Sequence, residues 1–290
     1  MIFRENARVL AYFVHHFSPF VFEFREGVGL RWYGVAYVAA FLLGYLLYRW
    51  LAERGYTQMP PEQVSDFITW SAVFGVMLGG RIGWIIFYGL KQDHSEDPWW
   101  WPVEVWKGGM ASHGGIIGLV LFTLFWSRRH NLSWTSIGDS LCVVAPIGLF
   151  LVRVANFING ELYGKPSAVP WAVIFPAEPE FPRHPSQLYE AGLEGVVLFT
   201  VLWLLRTRAR VPRGVITGAF FIVYAALRII GEMFREPDPA WAVGQFSAGQ
   251  FLSLFLFVIG GVFLLWGWRT QQYERALTLT PAAKTGNAAA

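Results

Sequence analysis

Apolar residues run along this chain in long, nearly continuous blocks, and polar residues gather between them. Seven blocks (33–51, 67–89, 110–127, 137–158, 189–206, 214–233 and 249–268) stand out. Each approaches the about 20 apolar residues that an α-helix needs to cross a hydrocarbon core about 30 Å thick. Residues 9–24 are apolar too, but Pro19 interrupts them, which predicts an interfacial segment rather than a span. The pattern therefore predicts an all-α integral membrane protein with about seven transmembrane helices. Residues 1–32 form its interfacial N-terminal segment, 33–268 a seven-helix bundle and 269–290 a tail. Loops 90–109 and 159–188 are longer and rich in Pro, Trp and acids, and they predict a small cap on the outer side. No linker divides the chain before 279–290, so 1–290 reads as a single polytopic membrane domain.

Composition strengthens this picture. Charged residues make up 15% of the chain and hydrophobic ones 54%, with a mean hydropathy of +0.39. A soluble domain carries about a quarter charged residues. The 15 tryptophans cluster near the ends of apolar blocks, as at Trp99, Trp100 and Trp101, which suits headgroup depth. A net charge of +3 is too small to imply a nucleic-acid partner. Cys142 is the one cysteine, so neither a disulfide framework nor a zinc–cysteine cluster is expected. Arg4 and Arg8 precede a stretch interrupted by His15, His16 and Pro19, which is not the layout of a cleaved signal peptide. With the N-terminus outside, the interhelical loops place eight Lys or Arg inside against five outside, although four N-terminal arginines count the other way. The positive-inside rule then predicts N-terminus out and C-terminus cytoplasmic.

Charge inside the spans is what calls for chemistry. Arg81, Arg153 and Arg228 fall within apolar blocks, where an arginine costs about 2.5–3.5 kcal/mol on insertion scales and faces the protein interior. The bland reading is an internal ion pair that orients helices, and it is the stronger one for Arg81. Tyr224, Arg228, Glu232 and Arg235 follow at steps of four, four and three, which on a continuous helix forms one polar stripe. Arg153 opens a run through Asn156, Asn159, Gly160 and Glu161 to Gly164. If the helix continued, Glu161 would turn away from the Arg153 face. Its Asn-Gly-Glu core is a poor helix continuation and predicts a turn. A polar turn at membrane depth is tolerated beside a cavity or within protein, so this run is expected to line the same cavity as the stripe. His113 sits between glycine pairs, Gly108-Gly109 and Gly114-Gly115, and a lone histidine at a helix start is more often structural than catalytic. Gly75, Gly79 and Gly83, like Gly114 and Gly118, have the spacing of plain helix packing.

Taken in order, four motifs resemble the prolipoprotein diacylglyceryl transferase family of bacteria. They are Gly108-Gly-Met-Ala-Ser-His113-Gly-Gly115, Arg153-x-x-Asn156-Phe-Ile-Asn-Gly-Glu161, Arg183-His-Pro-Ser-Gln-Leu-Tyr-Glu190 and Tyr224-x-x-x-Arg228-x-x-x-Glu232-x-x-Arg235. The resemblance runs from Arg31-Trp-Tyr33-Gly34 through the seventh block. It departs from the family at Val152 and Ala155, where glycines are usual. It implies transfer of a diacylglyceryl group from phosphatidylglycerol to the thiol of a lipobox cysteine in a prolipoprotein, in the bacterial inner membrane, with glycerol phosphate leaving. It also implies His113, Arg153 and Arg228 as catalytic residues and Tyr33, Asn156, Glu161 and Gly164 as supporting ones. Tyr224, Glu232 and Arg235 join the substrate-binding set through the stripe.

The residues fit that chemistry. Expelling a phosphate monoester needs stabilisation of growing negative charge, and guanidinium forks match phosphate oxygens. The nucleophile belongs to the substrate, in keeping with an unremarkable Cys142. Its thiol must lose a proton, to His113, to Glu161, to Glu232, or with no protein base at all. His15, His16, His94 and His184 are scattered, and no metal or other cofactor is expected. An anion transporter would also bury arginines, but it predicts internal repeats and paired broken helices that the sequence lacks.

Overall fold

The computed structural model describes residues 12–92, 97–104, 108–236 and 248–278. Arg4, Arg8 and His94 lie outside the described residues, as does the segment 279–290. The chain is a mostly helical integral membrane protein. Helices α1 (Trp32–Glu53), α2 (Pro61–Lys91), α3 (Ser112–Arg129), α4 (Trp134–Ile158), α5 (Ser186–Arg208), α6 (Val215–Glu232) and α7 (Ala248–Thr270) occupy the seven apolar blocks. A single turn, α8 (Arg275–Thr278), follows. Among the described residues, six helices are long and apolar enough to cross a membrane. The exception is α3, whose 18 residues begin at Ser112-His113 and end at Arg128-Arg129. It is about 27 Å long at 1.5 Å per residue, and polar ends take up much of that length.

Two helices contain wider, π-type turns, at Ser71–Met77 in α2 and Ala191–Val197 in α5. Such turns are rare and are frequent at functional sites. Short strands add to the helical expectation. A hairpin pairs β2 (Phe20–Arg25) antiparallel to β3 (Val28–Arg31) across Gly27, whose φ of +75° suits glycine. A three-stranded sheet has β1 (Phe13–Val14) parallel to β4 (Val173–Phe175), and β4 antiparallel to β5 (Glu178–Arg183). The hairpin falls in the segment read as interfacial, and β4 and β5 fall in the loop 159–188.

Contacts divide the chain into two compact units. One comprises 45–141, 212–214 and 271–290. Here the two glycine runs meet: a Cβ on Gly83 would lie 2.6 Å from Gly114 Cα, and one on Gly79 would lie 2.8 Å from Gly118 Cα. Backbone touching backbone is the small-residue helix packing that the spacing predicts. Arg81 donates to the carbonyls of Trp101 (2.7 Å), Pro102 (2.7 Å), Gly108 (2.8 Å) and Gly109 (3.1 Å), with Trp84 stacked 4.7 Å from its Cζ. Its charge is met by the carbonyl dipoles of the loop that precedes α3, where the sequence reading expected an ion pair. His113 stands at the exposed start of α3 in this unit. The other unit comprises 1–44, 142–211 and 215–270 and holds both sheets. There α6 and α7 pack through Gly218 and Gly260, each within 2.8 Å of the other's carbonyl oxygen if given a Cβ.

Candidate active site

Arg153, Arg228 and Arg235 come together within the second of these units, and they do so on carboxylates. Arg153, on the last turns of α4, places Nε 2.9 Å from Glu190 Oε2 and Nη2 3.3 Å from Glu194 Oε2. The first is an ion pair by distance only, since the N–H does not point along a hydrogen bond to that oxygen. Arg228, on α6, donates from Nη1 to Glu190 Oε1 (2.8 Å) and Glu194 Oε1 (3.2 Å), and from Nη2 to Glu232 one turn on. Arg235 reaches Glu190 Oε1 at 3.3 Å. Three guanidiniums thus face three carboxylates. The glutamate side chains of 190 and 194 are at most 1% exposed, whereas those of Arg153, Arg228 and Arg235 are 13–18% exposed. The carboxylates lie behind and the guanidiniums in front. Arg153 Nη1 and Arg228 Nε have no protein acceptor among the described residues.

Local structure explains the placement. Helix α4 ends at Ile158, and the chain turns through Gly160 (φ +68°) and Leu162 (φ +56°). The expected turn is present, and because the helix stops there, Glu161 does not project away from the Arg153 face. Its Oε1 accepts from Asn156 Nδ2 (3.1 Å) and Asn159 Nδ2 (3.3 Å), and its backbone oxygen accepts from Gln187 Nε2 (2.6 Å). Asn156 Nδ2 also donates to Tyr33 Oη on α1. His15 fixes the end of α4 through Nε2 donating to Phe157 O at 2.7 Å, with its ring edge-on to Phe157.

The polar stripe needs one correction. Helix α6 stops at Glu232, so Arg235 is not on the same helical face as Tyr224 and Arg228. Arg235 instead pairs its backbone with Gly164 in an isolated bridge, and its side chain comes back to the cluster through Glu190. Tyr224 stays on α6, one turn before Arg228, stacked on Phe220 at 5.8 Å. Gly164 acts sterically: a Cβ there would lie 2.7 Å from the His184 carbonyl oxygen and 2.8 Å from the His184 Cβ. Its N–H donates to that same carbonyl at 2.9 Å. Among the described residues, the contacts of the arginine cluster do not include His113.

Glu190 and Glu194 are the residues that sequence reasoning missed. Glu190 closes the Arg183–Glu190 motif, which gives it no role of its own, and Glu194 stands outside the four motifs. A signal existed: two acids at a spacing of four inside an apolar block, in a chain with arginines inside other apolar blocks. Gly195 brings α5 close to α4 there, with a Cβ on it meeting Phe150 Cβ at 2.6 Å.

Known proteins bear on this geometry. Residues 19–266 match the family model for prolipoprotein diacylglyceryl transferase. The phosphatidylglycerol–prolipoprotein diacylglyceryl transferase of Rhodopseudomonas palustris is 43% identical over 252 residues, covering 83% of this chain and 86% of its own length. Proteins of the same name from Nitratidesulfovibrio vulgaris (44% over 238 residues, covering 81% and 88%) and Rhodospirillum centenum (46% over 239 residues, covering 80% and 85%) are similarly close. Matches of this extent, across nearly all the helices that build the cluster, place the chain in the prolipoprotein diacylglyceryl transferase family.

Proposed function

We propose that this protein transfers the diacylglyceryl group of phosphatidylglycerol to the lipobox cysteine of a prolipoprotein, the first step of lipoprotein maturation. The sulfur of the substrate thiolate attacks the glyceryl carbon that carries the phosphodiester. A C–S bond forms, the C–O bond breaks, and the electron pair leaves with glycerol phosphate. The observation that carries this reading is the cluster of Arg153, Arg228 and Arg235, partly open in front and backed by buried glutamates. Arginine forks oriented in a low-dielectric setting stabilise charge that grows on phosphate oxygens.

In this reading Arg153 and Arg228 hold the phosphate, and Tyr33, Asn156, Glu161 and Gly164 shape the wall beside them. His113 takes the thiol proton as general base through an imidazole nitrogen. Glu232 is engaged by Arg228 and Glu161 by two carboxamides, whereas the His113 side chain is exposed at the start of its helix. The protein acts in the bacterial inner membrane with its N-terminus outside and its C-terminus in the cytoplasm.

Purified protein mixed with phosphatidylglycerol and a lipobox peptide should yield the thioether-linked diacylglyceryl peptide, detected by mass. A peptide with serine in place of cysteine should yield none. No thioether from the cysteine peptide would overturn the proposal.

A further inference from the structure

A site that expels a phosphate monoester faces a difficulty of its own making. The leaving group carries more negative charge than the phosphodiester from which it came. A purely cationic pocket would therefore grip product more tightly than substrate. Here the three guanidiniums are matched by Glu190, Glu194 and Glu232, so the cluster has no net charge before lipid arrives.

Glu194 is the member best placed to matter. It is fully buried, and it divides its carboxylate between the two central arginines: Oε1 lies 3.2 Å from Arg228 Nη1 and Oε2 3.3 Å from Arg153 Nη2. Glu190, by contrast, serves three arginines at 2.8–3.3 Å and holds the cluster together. The guanidinium edges left without protein acceptors, Arg153 Nη1 and Arg228 Nε, are those to which a phosphate can bind without displacing Glu194. Its charge then stays in place through the reaction, behind the arginines, and repels the departing anion.

We propose that Glu194 is a positioning residue whose negative charge limits the hold of Arg153 and Arg228 on phosphate, so that glycerol phosphate is released. This rests on the proposed transfer reaction, and it makes a prediction opposite to that of a purely structural acid. If Glu194 only oriented the arginines, replacing it would weaken anion binding. If its charge limits affinity, Glu194→Gln should strengthen it.

The test is binding of glycerol phosphate to the purified full-length protein by calorimetry, together with product inhibition in the transfer assay. Glu194→Gln should bind glycerol phosphate and be inhibited by it about tenfold or more tightly, as removal of one nearby charge in a low-dielectric setting implies. Its multiple-turnover rate should fall more than its single-turnover rate. Glu194→Asp, which keeps the charge, should bind within about twofold of wild type. If Glu194→Gln does not fold, Glu232→Gln removes the same unit of charge at the edge of the cluster and is read the same way. Unchanged or weaker binding in the glutamine variant overturns the inference. Wild-type protein that binds glycerol phosphate but forms no thioether overturns the proposed reaction instead, because the binding measurement needs no turnover.

Discussion

A lysine at position 153 would keep one positive charge and lose the planar fork, and that difference isolates what the guanidinium does. Arg153 spends one edge on Glu190 and Glu194 and keeps Nη1 in front of them, a division that a single ammonium cannot reproduce. Arg153→Lys should lower turnover at least about tenfold in protein that remains folded, because one ammonium cannot hold the glutamates and meet the phosphate together. Near-normal turnover would show that the charge alone suffices. At this scale the sequence was partly legible. Arginines inside apolar blocks announce themselves by their cost, and Arg153 and Arg228 did so. Glu190 and Glu194 show as two acids in an apolar block, but which arginines they meet does not, because a buried pair between residues 41 or 34 positions apart leaves no local pattern. Arg235 shows the same limit: its place in the cluster depends on a bridge to Gly164, not on helical spacing.

Element boundaries decide how those residues meet. Period-four spacing carried the polar stripe past Glu232, but the chain leaves the helix there, close to Pro237 in the sequence, where helix is disfavoured for the preceding residue. The hairpin at 20–31 was legible in principle, since Phe20, Phe22 and Phe24 alternate with Val21, Glu23 and Arg25 before Glu26-Gly27. The apolar content of that segment pointed to the membrane surface and masked the alternation. The short sheet of β4 and β5 is tied to the site through His184. Tyr189 Oη accepts from Trp171 Nε1 (2.6 Å) and shares a hydrogen bond with His184 Nδ1 (3.1 Å). Burial first, and the charge of Lys165 second, hold the His184 pKa below its ordinary 6.5. An unfolded cap therefore takes up the proton before the folded one does. Stability from this contact is full above about pH 6.5 and is lost as the pH falls through the lower folded value. Amide exchange across Val173–Phe175 and Glu178–Arg183, corrected for its intrinsic rate, should quicken between pH 7 and pH 5 in wild type, and His184→Gln should flatten that slope. An equal slope in the variant would remove His184 as the cause.

For the whole molecule, length and apolarity predicted seven helices because crossing a bilayer imposes a fixed minimum on both. The third is polar at both ends, so hydropathy alone separates it from the six that qualify. The grouping of 1–44 with 142–211 and 215–270 could not be read in advance, since it depends on contacts between segments far apart in the chain. That grouping is what gathers the arginines, the glutamates and the Asn-Gly-Glu turn around one cluster. In the proposed reaction this cluster stabilises a phosphate that leaves with the bridging oxygen. Phosphatidylglycerol carrying ¹⁸O at the oxygen between the diacylglyceryl carbon and phosphorus tests it directly in the reconstituted reaction. All of the label should appear in released glycerol phosphate, in amounts equal to the thioether peptide. Label found in free diacylglycerol, with none in glycerol phosphate, would mean that the phosphorus–oxygen bond breaks and would contradict that role.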